Sequence, residues 1–114
     1  MQSHGPLYIG LISGTSMDSI DAAIVEIDNR NAKIIGTLNK SYPDTLRDQL
    51  TRASHYWKDT NIDQLGQLDR WVGELFRDAA LDLMKKYEIS SHNVIALVSH
   101  GQTIRHQPQI QKPF

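Results

Sequence analysis

Nine consecutive residues, Ser13-Gly14-Thr15-Ser16-Met17-Asp18-Ser19-Ile20-Asp21, combine a glycine, hydroxyls and two carboxylates directly after an apolar run. In a tight turn, successive backbone N–H groups converge into a nest that binds anions. Gly14 lets phosphate oxygens approach the backbone, and Thr15 and Ser16 add hydroxyl donors. Asp18 and Asp21 can hold a hydrated Mg²⁺, which keeps several waters and needs few carboxylates. These are the parts of a phosphoryl-transfer site: donors around a terminal phosphate and a metal to offset its charge. The same residue types are ordinary turn formers, so composition alone does not separate the two readings. There is no Gly-Lys-Ser/Thr ending and no helix expected next, so this is not a Walker A loop.

Ser99-His100-Gly101-Gln102-Thr103 forms a second polar cluster, again after an apolar run. In sheets with helical cover, ligands collect outside the carboxyl ends of the strands. His, Gln and Thr offer directional polar groups that suit a sugar with many hydroxyls. Taken alone, His100 reads first as a structural histidine bonded to backbone. His100 and His106 have no third partner to complete a metal site. His4, His55 and His92 read as surface residues.

The elements that must carry these clusters follow from periodicity. Leu7 to Ile12 reads as a buried strand, Ala22 to Asp28 as a second and Lys33 to Leu38 as a third. Asp28-Asn29-Arg30-Asn31 is a turn cluster, because Asp and Asn tolerate the left-handed region. Three strands this close predict an antiparallel meander. Pro43 suits the first turn of a helix through Leu46, Leu50 and Ala53. His55 to Thr60 reads as a connecting loop.

Ile62 to Tyr87 carries the clearest helical pattern. Leu65, Leu68, Val72, Leu75, Phe76, Ala79, Leu83 and Tyr87 recur at three- and four-residue steps. Asp63, Arg70, Glu74, Arg77, Asp78 and Lys85 take the other face. Asn61 and Gln64 have capping-box spacing, and Arg70 can pair with Glu74 across one turn. Gly66 and Gly73 each cost about 1 kcal/mol relative to Ala; close backbone packing and simple tolerance both account for them. Asn93 to Val98 reads as a last, buried strand. A long helix before it predicts a crossover that lays this strand parallel to an earlier one. The order is βββ, α, α, β in a mixed sheet with helical cover.

Composition excludes other classes. The chain has 114 residues, a net charge of −1 and no cysteine. That is enough for one modest domain, with no disulfide framework and no Cys-ligated metal. Lys and Arg form no stripe, so no nucleic-acid partner is expected. No signal peptide and no apolar stretch near the ~20 residues of a membrane span appear, so no membrane partner and a cytoplasmic location are expected.

The run IGLISGTSMDSIDAAIVE resembles the N-terminal signature of the anhydro-N-acetylmuramic acid kinases. That family usually reads Gly-Leu/Val-Met-Ser-Gly-Thr-Ser-Leu/Met-Asp-Gly-Val/Ile-Asp. Ile12 stands where Met is common, and Ser19 where Gly is usual. His100-Gly101-Gln102-Thr103 and His106-Gln107-Pro108 resemble the family's His-Gly-Gln-Thr and His-x-Pro elements, in the expected order.

The resemblance implies a ribonuclease H-like α/β lobe, the first of two in an actin-like ATPase fold, with residues 1–114 an incomplete N-terminal lobe. It implies ATP and Mg²⁺ as cofactors and 1,6-anhydro-N-acetylmuramic acid as partner. Residues Gly14 to Asp21 would hold the nucleotide and His100 to Thr103 would line the sugar cleft. The resemblance also implies the family's reaction, in which water opens the anhydro ring and O6 takes the γ-phosphate, giving N-acetylmuramic acid 6-phosphate in peptidoglycan recycling. The family's base is an Asp in a later segment, so no catalytic residue is expected before Phe114 and the chain alone is expected to be an inactive, truncated kinase. A homodimer of the full-length protein stays open. Two other readings are a non-catalytic actin-like ATP-binding domain and an interaction module using the helix Ile62 to Tyr87. The first usually opens its phosphate loop with Asp, where this chain has Ser13.

Overall fold

The computed structural model describes residues 5–13 and 17–102. Strand β1 (Leu7–Ser13) alternates strictly: Leu7, Ile9, Leu11 and Ser13 are buried, while Tyr8, Gly10 and Ile12 look the other way. That period of two is what a half-covered strand requires. Strand β2 (Ser19–Asp28) runs antiparallel to β1 and sets Ile24 opposite Ile9 and Ala22 opposite Leu11. The two strands thus present one apolar surface.

Strand β3 (Asn31–Ser41) completes the meander, antiparallel to β2. The β2–β3 hairpin has a two-residue loop, with φ of 47° at Asn29 and 83° at Arg30. Positive φ at both central residues is the signature of a type I′ turn, whose twist matches the strands it joins.

Two helices cover the buried face. Helix α1 (Asp44–His55) buries Leu46, Leu50 and Ala53. Pro43 is its N-cap rather than a first-turn residue, in extended backbone with ψ of 146°. Between the helices, residues expected as plain loop contain a short 3₁₀ turn, Trp57–Asp59. Helix α2 (Ile62–Lys86) starts on the anticipated capping box: Asn61 accepts from the Gln64 amide at 2.8 Å and the Gln64 side chain accepts from the Asn61 amide at 2.9 Å. Arg70 and Glu74 meet at 3.3 Å. Gly66 and Gly73 face open space, with no atom within 4 Å of an added Cβ, so they are tolerated rather than packed.

Strand β4 (Val94–Gln102) pairs parallel with β1, as the long crossover requires, giving the sheet order β3-β2-β1-β4. Two expectations fail here. The strand does not end at Val98 but continues through Gln102, because parallel pairing carries on until Ser13 meets Gln102. Nor is it buried: it is the sheet edge, with Ile95 61% and Val98 66% exposed. A continuous apolar run looks the same whether covered or awaiting cover.

Candidate functional site

The first polar cluster hangs between β1 and β2, at the carboxyl end of β1. It is shorter than its residue types imply. Ser19, Ile20 and Asp21 lie in β2, paired with Ser41, Lys40 and Asn39. Their polar-apolar-polar alternation is a strand signal. Gly14, Thr15 and Ser16 lie outside the described residues. What the structure defines is the frame that holds them.

Met17 sits at φ 55° and is only 7% exposed. A non-glycine residue there costs about 1–2 kcal/mol, which the burial of its side chain offsets. Ile20 is fully buried, so its side chain serves the core. Asp18 and Asp21 are both exposed. Asp18 is a weak acceptor for the Ser19 hydroxyl at 3.5 Å, and Asp21 accepts from Asn39 Nδ2 at 2.8 Å. Asn39 also donates to Ser19 Oγ at 3.0 Å, a tie that Gly at position 19 could not make.

The stem of the loop is stitched from inside. Ser13 is 1% exposed, and its hydroxyl donates to the Ser19 carbonyl at 2.8 Å. The Tyr42 N–H donates to the Asp18 carbonyl at 2.8 Å. Both bonds are accepted by carbonyl oxygens at the closing end of the loop. Neither consumes a loop N–H, which is the group an anion needs.

Gln102, on β4, reaches into the same stem. Its amide oxygen lies against Ser13 Oγ and 3.0 Å from Tyr42 Oη. A serine hydroxyl carries one proton, so it cannot serve both Ser19 and Gln102. Turning the amide by half a revolution presents its NH₂ to both hydroxyls and leaves the Ser13 proton on Ser19. The second cluster therefore divides. A register shift between Leu11 and Ser13 intervenes. His100 is exposed on the helix-free face, in a trough of roughly 680 Å³ shared with Gly10, Ile12, Asp21 and Asn39. Gln102 serves the stem. Gly101 lies between them in β4, and Thr103 lies outside the described residues, as do His106 and Pro108. Among the described residues, no three His, Cys, Asp or Glu side chains gather as a metal cage.

Tyr42, 4% exposed, is the site residue that sequence reading passed over. It precedes Pro43 and looks like mere lead-in to a helix. Burial pushes its phenol above the ordinary value of 10.0, and the Asp18 carboxylate pushes the same way. The folded state thus holds the neutral phenol. Its stabilisation is complete below the unfolded value near 10 and is lost as pH rises toward the folded value. Urea midpoints followed from about pH 9 to pH 11 should show wild type losing its advantage over Tyr42→Phe. A gap independent of pH would contradict this.

No described helix is long and apolar enough to cross a membrane. Among solved structures, a reductive activator for a corrinoid, iron–sulfur protein superposes with a TM-score of 0.56 at 15% identity, covering 87% of this chain and 15% of that one. At that identity the likeness concerns the fold alone. An anhydro-N-acetylmuramic acid kinase from Coxiella burnetii (strain Dugway 5J108-111) is 45% identical over 107 residues, covering 94% of this chain and 28% of its own length. One from Vibrio vulnificus (strain YJ016) is 41% identical over 108 residues, covering 95% and 29%. The chain thus spans under a third of the length of these relatives. The family model described as anhydro-N-acetylmuramic acid kinase matches residues 6–114, and with both signature segments converging on one loop stem, the chain belongs to that family.

Proposed function

We propose that the chain is the N-terminal lobe of a two-lobed, ATP-dependent sugar kinase. The reaction is opening of 1,6-anhydro-N-acetylmuramic acid by water with phosphorylation of O6, giving N-acetylmuramic acid 6-phosphate for cytoplasmic peptidoglycan recycling. The observation that carries this reading is the loop between Ser13 and Ser19. It is closed through its carbonyls and stands at the carboxyl end of the parallel pair β1 and β4.

In this reading the amides and hydroxyls of Gly14, Thr15 and Ser16 receive the terminal phosphate, with Met17 as the buried anchor of the loop. ATP arrives with Mg²⁺, which supplies charge compensation at the phosphates. Exposed Asp18 and Asp21 fit an ion that keeps its own waters, since it asks for only one or two carboxylates. His100 and its neighbours face the sugar. This reading gives the role of the base that activates water to none of these residues.

Titrating ATP with Mg²⁺ into ¹⁵N-labelled protein tests this directly. The amide resonances of residues 14–19 should move at millimolar ATP and stay in place with adenosine. Stationary loop amides would remove the kinase reading. An actin-like ATP-binding domain is the second reading; ATP shifts that do not respond to added anhydro-sugar would favour it.

A further inference from the structure

Two segments far apart in sequence meet under the loop. Ser13 opens it, Asp18 and Ser19 close it, and Tyr42 and Gln102 stand beneath both ends. Ser13 and Tyr42 are almost wholly buried, so in this polar knot each missing partner strands another. Gln102 comes from the same stretch of β4 as His100.

We propose that Gln102 and Tyr42 are positioning residues, which fix the two ends of the loop stem, Ser13 and Asp18–Ser19, and tie them to strand β4 beside them. The inference rests on the kinase reading for its ligand, but not for its geometry. Neither side chain has to touch the nucleotide. Tyr42 fixes the closing end through its N–H on the Asp18 carbonyl, while its hydroxyl and the Gln102 amide hold the Ser13 end. A strand that shifts along β1 by even part of a residue moves Gln102 relative to Ser13, and the Ser13 end of the stem must follow.

The test uses two near-isosteric variants, Tyr42→Phe and Gln102→Met, with their double. Amide spectra of the ATP-free protein should show displaced resonances for residues 14–19 in both variants, with the amides of α2 unmoved. ATP–Mg²⁺ affinity should fall about 3- to 10-fold, the worth of one such hydrogen bond. The double variant should be little worse than either single, because the two residues act as one unit. Variants that lower the urea midpoint while leaving loop amides and affinity intact would reduce the pair to ordinary core polarity and overturn the proposal. Wild-type protein that binds no ATP would sink the kinase reading, while the ATP-free spectra would still decide the positioning role. Should Gln102→Met fail to fold, Tyr42→Phe carries the same comparison.

Discussion

Leu83→Ala is expected to destabilise the protein by about 2–5 kcal/mol, within the range for emptying a buried leucine site. Leu83 is fully buried near the end of α2. Its neighbours on the same helix, Ala79 and Ala80, are buried too and too small to lean into the space left behind. A cavity that cannot collapse costs most. The total stability of a domain this size is only about 5–15 kcal/mol, so the variant would stand close to unfolding. Urea denaturation gives the difference directly. Leu81→Ala, at a site 52% exposed two positions away, should change stability by less than about 0.5 kcal/mol. Equal losses at the two positions would mean that α2 does not seat on the sheet as described.

The second large effect concerns Gly36, which sits opposite Ile24 at the irregularity in the β2–β3 pairing. The Tyr87 ring lies on it: an added Cβ would fall 2.3 Å from Cζ and 2.4 Å from Cε2. Tyr87 caps α2 and its hydroxyl both accepts from the Thr37 N–H and donates to the Thr37 carbonyl, each at 3.2 Å. Gly36→Ala therefore forces the ring aside and breaks both bonds. The expected loss is about 1–3 kcal/mol. The same substitution made on Tyr87→Ala should be neutral or mildly stabilising, since a glycine inside a strand is otherwise a weakness. Additive losses in this double-mutant cycle would show that the ring and the glycine are not coupled.

These two contacts also mark what could be read from the chain. The stripe containing Leu83 is plain in the spacing of α2, because a helix shows its buried face every three or four residues. The capping box at Asn61 and the turn at Asn29 are local, and local chemistry is written locally. The pairing of Tyr87 with Gly36 joins residues with no pattern between them, so nothing in the sequence announces it. The same holds at the site. The residue types of the loop were legible, and so was the parallel pairing of β4 with an earlier strand, though not that this strand is β1. Where each strand stops was not, because Ser19 and Asp21 carry turn chemistry and strand alternation at once, and only the partner strand decides between them. Tyr42 and the buried role of Gln102 depend on three segments meeting, which no single window of sequence contains. The exposed apolar residues of β4 gave the opposite error: Val-Ile-Ala-Leu-Val reads as interior wherever it lies.

The tight turn at Asn29 and Arg30 closes the far end of β2, whose near end is the loop stem at Ser19. Ten residues of strand at about 3.3 Å each separate the two by roughly 30 Å. A biotin or fluorophore attached at Arg30 would hold the molecule on a sensor surface with the loop stem pointing into solution. Capture by random lysines offers no such orientation, since Lys40 lies only one residue from the end of β3 that borders the loop.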